Sequence, residues 1–131
     1  MNLQLSLKRK WFDMTKPDGK TEDYREINEY WLKRLFEKTE FAVTKPELIK
    51  MGLLEVINNK MQVNELYDYM GWGVKTFDKN IMTLGYPKRN DFDRIKIFYH
   101  EGIEIATGRE EWGAEQNKLY FVIKHGEPCK K

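Results

Sequence analysis

The chain has 131 residues, with 23 basic and 21 acidic side chains and a formal net charge of +2. Hydrophobic residues make up 40% and aromatic residues 14% of the chain, which supplies a core and argues against intrinsic disorder. The near balance of charges excludes the global positive field that marks many nucleic-acid binders, so any such role needs a local basic patch.

The chain length, the single cysteine and the lack of long apolar runs predict one domain in a reducing compartment. The single cysteine, Cys129, leaves no partner for an internal disulfide. The first ten residues, MNLQLSLKRK, lack the apolar stretch of a secretory signal, and no run approaches the ~18 apolar residues of a membrane span. We predict a single cytoplasmic domain covering residues 1–131, with no membrane contact and with its oligomeric state left open.

Two strands and a short helix are predicted at the start of the chain. Alternating leucines in residues 3–7 have the period of a half-buried strand. Residues 8–16 predict a short helix with Ser6 near its N-cap, and Pro17-Asp18-Gly19 ends it as a turn. KTEDYREI, residues 20–27, then predicts a second strand.

Three further helices follow. Apolar i,i+4 pairs in NEYWLKRLF predict an amphipathic helix capped by Asn28. A capping box that begins at Thr44 and an early proline predict the start of the next helix. With VNELYDYM after it, residues 44–70 are typical of a helical hairpin that ends at the Gly71-Trp72-Gly73 break.

From residue 77 onward the periodicity is mostly two. FDRIKIFY and IEIAT predict two strands joined by a hairpin corner at His100-Glu101-Gly102. LYFVIKHG is an almost continuous apolar run, which predicts a strand buried on both faces. About six short strands, with helices placed early, suggest a small closed or partly closed β-barrel of the α+β class.

These segments together resemble the ASCH domain family, a branch of the PUA-like β-barrels, in its compact phage and bacterial form. The match runs through LSLKRKWFDMTKPDGKTEDYREINEYWLKRL, then FDKNIMTLGY, then GIEIATGREEWGAEQNKLYFVIKHGE. The helical hairpin, roughly residues 42–76, looks like an insertion. The resemblance implies a small PUA-like barrel with flanking helices.

The family signature is G-x-K-x-x-E-x-R, and this chain has D-G-K-T-E-D-Y-R. Lys20 and Arg25 match the signature, whereas the glycine is displaced by one position, to Gly19. Asp23 stands at the position of the family's glutamate, with Glu22 beside it. Either carboxylate is a candidate for the role of that glutamate.

The resemblance implies RNA binding in a cleft on the barrel, and some members are enzymes. One group resembles an amidohydrolase of acetylated cytidine nucleosides, and others have been described as ribonucleases. In the amidohydrolase group a threonine occupies the acidic position and acts as nucleophile beside the motif lysine. The corresponding catalytic candidates here are Lys20, Thr21 and Asp23, with Asp23 in the position of that threonine.

The signature residues carry two interpretations. Lys20, Glu22, Asp23 and Arg25 are candidates for contact with a bound ligand, since strand alternation places Asp23 and Arg25 on one face. Alternatively the charges form an ion-pair network that orders the turn, in which each exposed pair contributes about 0–1 kcal/mol.

Basic and aromatic residues outside the signature extend the candidate RNA surface. Lys8, Arg9 and Lys10 are candidates for a rim that binds phosphates, and Pro87-Lys88-Arg89 is a candidate second edge. Tyr86 and Trp112 are candidates for stacking on unpaired bases. The alternatives are a solvated helix face, a polar loop and aromatic plugs at the ends of the barrel.

No pattern in the sequence predicts a metal or a cofactor. His100, His125 and Cys129 lack the spacing of a zinc site, and no phosphate-binding or dinucleotide-binding loop is present. The predicted partner is single-stranded RNA, a nucleoside or a nucleotide. A hydrolase of a modified nucleoside or of RNA is the second hypothesis, and a protein-interaction module that uses the helical hairpin is the third.

Overall fold

A computed structural model describes residues 1–129. Within these residues the helices are α1 (Arg9–Met14), α2 (Glu29–Leu35), α3 (Pro46–Asn58) and α4 (Val63–Met70). The strands are β1 (Asn2–Leu7), β2 (Glu22–Arg25), β3 (Phe36–Lys38), β4 (Trp72–Val74), β5 (Lys79–Leu84), β6 (Ile95–Thr107) and β7 (Leu119–Pro128). The predicted mixture of helices and strands is confirmed.

Five of the strands form one sheet in the order β1-β5-β6-β7-β2. β1 is parallel to β5, and β5 is antiparallel to β6. β3 and β4 form a separate two-stranded antiparallel pair. None of the helices in the described part of the chain has both the length and the apolar character that crossing a bilayer requires.

The chain divides into two compact units. Of the described residues, the first contains 1–23, 76–102 and 123–129, and the second contains 24–75 and 103–122.

In the first unit, the alternation predicted for β1 is confirmed. Leu3, Leu5 and Leu7 are buried, and the residues between them are exposed. The parallel register with β5 ends at the pair Leu7 and Leu84, so the two strands finish side by side. This register positions the segments that follow each strand.

In the second unit, the predicted helical hairpin is confirmed as α3 and α4. α4 ends at Gly71, whose positive φ of 76° is a left-handed conformation that glycine adopts without strain. Gly52, inside α3, lies so close to Met70 that a Cβ atom there would be 2.7 Å from the thioether sulfur. Glycine at position 52 therefore lets the two helices pack closely, in spite of its cost of roughly 1 kcal/mol in helix propensity.

One of the three predicted helix caps is confirmed. The side chain of Asn28 accepts a hydrogen bond of 2.9 Å from the backbone N–H of Trp31. The prediction of Ser6 near the cap of α1 was wrong, because the N-cap is Lys8, which makes no side-chain cap bond. The predicted Thr44 cap was also wrong, because Pro46 takes the first helical position and makes Lys45 the N-cap.

The hairpin corner predicted at residues 100–102 was also wrong. β6 is continuous from Ile95 to Thr107, and its neighbours in the sheet are β5 and β7. Gly102 has a φ of 132°, which places an irregular backbone conformation inside the strand without reversing the chain. A local glycine pattern does not distinguish such a position from a turn, since pairing with the neighbouring strands decides the path.

Candidate functional site

Lys20 and Asp23 form a buried ion pair in the first unit. Each residue is only 2% exposed, and the ammonium group of Lys20 donates a hydrogen bond to Oδ1 of Asp23. Lys20 lies outside the regular strand, in an isolated bridge with Thr15, and its N–H donates to the carbonyl of Met14 at 2.8 Å. A Cβ at Gly19 would lie 2.6 Å from that carbonyl oxygen, so the displaced glycine of the signature permits this tight turn.

His125 holds the other oxygen of the same carboxylate. Its Nε2 lies 2.6 Å from Oδ2 of Asp23, and its backbone N–H donates to the carbonyl of Thr21 at 2.9 Å. Burial opposes ionisation of Asp23, but the hydrogen bond from His125 and the charge of Lys20 outweigh it and hold the pKa of Asp23 below its ordinary value. Asp23 is therefore ionised at neutral pH.

Two further polar residues extend this network across the sheet. Asn80, which is fully buried on β5, lies 2.8 Å from Nδ1 of His125 and 2.7 Å from Nδ1 of His100. Burial and the nearby His125 lower the pKa of His100, although the carboxylate of Glu101 partly offsets them. We call Lys20, Asp23, His125, Asn80 and His100 the polar network.

The buried polar side-chain atoms of the polar network all have hydrogen-bond partners. Within residues 1–129, every buried side-chain nitrogen and oxygen has a hydrogen-bond partner. The same residues contain no group of three or more His, Cys, Asp or Glu side chains arranged to hold a metal ion. Lys20 pairs with Asp23 inside the protein, and this ion pair orders the turn that contains Lys20.

The other signature candidates have different surroundings. Thr21 and Glu22 are half-buried in the first unit. Arg25 belongs to the second unit, where its guanidinium lies 5.1 Å from the ring centroid of Trp31 and donates to the carbonyl of Tyr24. Of the two carboxylates at the signature position, the structure pairs Asp23 with Lys20.

Trp112 also belongs to the second unit. The guanidinium of Arg109 lies over its indole ring, 4.7 Å from the centroid, and the ring is half-buried. Trp112 ends a short 3-10 helix, Glu110–Trp112, followed by Gly113 in a left-handed conformation.

The two basic segments lie at adjacent strand ends in the first unit. Lys8, Arg9 and Lys10 follow the last residue of β1, and Lys88 and Arg89 follow the end of β5. All five side chains are exposed. We call these five residues the basic rim.

Tyr86 belongs to the turn that carries the second half of the basic rim. It is 97% exposed, the highest value among the large exposed hydrophobic residues. The preceding residue, Gly85, has a φ of 69°, and its carbonyl accepts hydrogen bonds from Ser6 at 3.5 Å and Thr83 at 2.9 Å. The turn is therefore tied to the end of β1 while the tyrosine ring faces solvent.

Lys96 fixes the helix that carries the first half of the basic rim. Its ammonium group donates to the carbonyls of Phe12 at 2.7 Å and Thr15 at 2.8 Å, at the C-terminal end of α1. A cation at this end of a helix is favourable, since the free carbonyls carry partial negative charge. α1 is thereby held against β6.

The hairpin of the second unit presents apolar side chains to solvent. Met51, Leu54 and Tyr69 on the hairpin, and Phe41 in the segment before α3, are each more than half exposed. Met51, Leu54 and Tyr69 line a groove of about 690 Å³ between α3 and α4.

Sequence reasoning missed three members of the polar network. His100 and His125 were considered as zinc ligands and rejected on their spacing, His100 was otherwise placed only in a hairpin corner, and Asn80 was not considered. For His125 the available signal was its place in LYFVIKHG, a run predicted to be buried on both faces, because a buried polar side chain requires a hydrogen-bond partner. That signal indicates a network without identifying its members.

No family model, curated protein or solved structure matches the chain.

Proposed function

We propose that this protein binds single-stranded RNA, or a nucleotide, on the basic rim beside Tyr86. We also propose that its fold is a PUA-like barrel of the ASCH type, in which the Lys20–Asp23 pair is the counterpart of the family's Lys and Glu. The observation that supports RNA binding most directly is the parallel register of β1 and β5, which end together at Leu7 and Leu84.

This register brings two stretches of sequence close together. Neighbouring strands lie about 4.8 Å apart, so the residues that leave β1 and β5 begin at nearly the same place. Residues 8–10 and 85–90 contain five basic and no acidic side chains, in a chain whose net charge is only +2. The result is a local concentration of positive charge, which is what a ligand with several phosphates requires.

Tyr86 supplies the second kind of contact. An exposed aromatic ring beside a basic groove is the usual platform for an unpaired base, and such stacking contributes about 1–3 kcal/mol per base. Because stacking does not distinguish the four bases strongly, we expect weak sequence preference.

In this proposal Lys20 and Asp23 position the binding surface without contacting the ligand. The pair is buried, and it fixes the turn at residues 15–20 that follows α1. Lys96 holds the same helix end from β6. The arrangement of the basic rim therefore depends on buried charges that the RNA does not reach.

The test is a salt series with a fluorescent single-stranded oligoribonucleotide. We compare wild type with the triple variant Lys8→Gln, Lys88→Gln and Arg89→Gln. The slope of log affinity against log salt changes by about 0.7 for each phosphate of a single strand that the protein neutralises. Removing three cations is therefore expected to reduce the slope by about 2.

The matched control removes three exposed lysines of the second unit, through Lys38→Gln, Lys50→Gln and Lys60→Gln. This variant has the same change in net charge and is expected to keep the wild-type slope. Equal slopes for both triple variants and for wild type, or no binding by wild type at low salt, would contradict the proposal.

A hydrolase is the second candidate, supported by the position of Thr21. In the sequence, this half-buried threonine lies between Lys20 and Asp23, which form the buried ion pair. If it is a nucleophile, Thr21→Ala abolishes turnover of acetylated cytidine or of RNA, whereas Thr21→Ser retains part of it. Absence of product from both substrates with the wild-type protein excludes this candidate for those substrates.

A further inference from the structure

Helix α3 has apolar side chains on two of its faces. One face is buried in the second unit and consists of Ile49, Gly52, Leu53 and Val56. On the other face, Leu48, Met51 and Leu54 remain 48%, 62% and 51% exposed. A helix that packs only on a core carries polar residues on its outer face, since apolar surface in water is unfavourable. α3 therefore has the pattern of a helix with two packing partners, of which residues 1–129 supply one.

Exposed apolar side chains are concentrated around this hairpin. Of the twelve large hydrophobic residues that are exposed in the described chain, six belong to residues 41–69. Four of them, Leu48, Met51, Leu54 and Tyr69, line the groove of about 690 Å³ between α3 and α4, which we call the hairpin groove. Single exposed apolar residues are common on protein surfaces, whereas a contiguous group of them marks an interaction site.

The spacing of the apolar residues along α3 fits a helical partner. Leu48, Met51 and Leu54 are three positions apart, so at a rise of 1.5 Å per residue they extend over about 9 Å. A facing helix presents its own apolar side chains at the same spacing of three and four residues, in the manner of a helix bound in a groove. Met51 adds adaptability, because its unbranched side chain adjusts to the side chains that it meets.

The charges at the hairpin groove are acidic. Among the described residues that line it, only Glu55 is charged, and the amide of Asn59, which donates to its carboxylate at 3.0 Å, leaves that charge in place. α4 adds the exposed Glu65 and Asp68 and contains no basic residue. The one basic residue of α3, Lys50, lines a different cavity, of about 510 Å³. A partner with basic side chains beside its apolar residues complements this arrangement.

We infer that the hairpin groove binds an amphipathic α-helix of another protein, with apolar residues on Leu48, Met51 and Leu54 and with lysine or arginine side chains beside Glu55 and Asp68. A second copy of this chain is a poorer occupant, because it brings the same acidic helices to the interface, where like charges oppose association. An anionic membrane surface is disfavoured for the same reason. The groove lies in the second unit and contains no residue of the basic rim, so the inference does not depend on RNA binding.

The experiment is fluorescence anisotropy with a synthetic peptide of leucine and lysine, as long as α3, whose leucines fall on one face of a helix. The control peptide has glutamate in place of lysine. We expect wild type to bind the leucine–lysine peptide and to bind the leucine–glutamate peptide at least about tenfold more weakly. No binding of the leucine–lysine peptide, or equal affinity for both peptides, would overturn the inference.

The double variant Leu48→Gln and Met51→Gln removes apolar contacts from the groove. Both positions are exposed, so the fold is expected to be retained, and the affinity for the leucine–lysine peptide should fall about tenfold or more. The matched control is Val74→Gln with Phe92→Gln, which replaces two apolar residues outside the hairpin that are 42% and 54% exposed. Equal losses of affinity in the two double variants would contradict binding in the groove.

The double variant Glu55→Lys and Asp68→Lys tests the charge of the partner. It is expected to bind the leucine–glutamate peptide more tightly than the leucine–lysine peptide, in reverse of the wild-type preference. Glu37→Lys with Glu110→Lys makes the same change in net charge at two exposed positions outside the hairpin and should keep the wild-type preference. Reversal in both variants, or in neither, would count against the assigned site.

Sedimentation velocity over a series of protein concentrations tests a second copy as the occupant. Wild type and the variant with Leu48→Gln and Met51→Gln are expected to sediment alike. A wild-type dimer that dissociates in this variant would assign the groove to a second copy of the chain and would overturn the inference.

Discussion

The Lys20–Asp23 pair and the basic rim contain the same kind of charge in opposite environments. Lys20 is 2% exposed and bound to a carboxylate, whereas Lys8, at the start of the basic rim, is exposed. A buried lysine of this kind is tied to the stability of the fold, because removing its partner leaves an uncompensated charge. An exposed lysine contributes little to stability and remains available to a ligand. Sequence position within a motif does not separate these two roles, but burial does.

The largest expected effect is the loss of stability in Lys20→Met. This change leaves the buried Asp23 carboxylate without its cation, and breaking a buried pair in this way costs about 3–5 kcal/mol. Urea unfolding of the two proteins measures the difference. Lys8→Met is the matched control, expected to remain within about 0.5 kcal/mol of wild type. Similar decreases in both variants would remove the distinction between the two environments.

Tyr86→Ala tests whether an exposed residue beside the basic rim affects RNA binding without affecting stability. The ring is 97% exposed, so its removal is expected to leave the free energy of unfolding within about 0.5 kcal/mol of wild type. The affinity for single-stranded RNA should fall by about 1–3 kcal/mol, because one base no longer stacks on the protein. Tyr69→Ala, on α4, is the control for removing an exposed tyrosine. A destabilised Tyr86→Ala protein, or unchanged affinity, would contradict the assignment.

Asn28→Ala tests whether an exposed polar residue affects stability when its side chain binds the backbone. The amide oxygen of Asn28 caps α2 through the N–H of Trp31, and loss of such a cap costs about 1 kcal/mol. Lys45→Ala, at the N-cap of α3, removes a side chain that makes no cap bond and is expected to change stability by less. Thermal or urea unfolding measures the loss of stability in both variants. Equal changes would show that the cap bond does not stabilise α2.

The smallest expected effect is the dependence of stability on pH near His100. Its folded pKa is lowered below the ordinary value of 6.5, so the unfolded chain binds more protons between the two values. The free energy of unfolding should therefore rise with pH through that window and level off above about 6.5. Replacing His100 by glutamine should remove this rise. A fall in stability with increasing pH, or a rise that persists in His100→Gln, would contradict the direction of the shift.

Asp23 adds a second and separate pH window. Its folded pKa is held below the ordinary 3.8, so the stability that it contributes is present above that value and is lost as the pH falls through the folded pKa. The two windows begin at different pH values, 6.5 for His100 and 3.8 for Asp23, which allows unfolding measurements to separate the two groups.

Local patterns predicted much of the secondary structure. The alternation of leucines in β1, the cap at Asn28 and the hairpin of α3 and α4 were all predicted from neighbouring residues, and all are present. One error came where two local signals competed. Thr44 offered a capping box, but Pro46 fits the first helical position, and it shifted the cap by one residue.

The polar network could not be predicted, because its members come from separate parts of the chain. Asp23 and His125 lie more than a hundred positions apart, and Asn80 lies between them in sequence. Their meeting depends on the order of β5, β6, β7 and β2 in the sheet, which no short stretch encodes. Glycine patterns have the same weakness, as the continuous path of β6 through Gly102 shows.

The sequence by itself determined the alternating and helical periodicities, the helix ends set by Asn28 and Gly71, and the presence of basic residues near Tyr86. Those properties depend on residues a few positions apart, whose interactions are local. Only the tertiary structure decided that Lys20 is buried while Lys8 is exposed, and that the ends of β1 and β5 lie together. The physical reason is that burial and strand pairing are set by residues distant along the chain, which determine the surroundings of each charge.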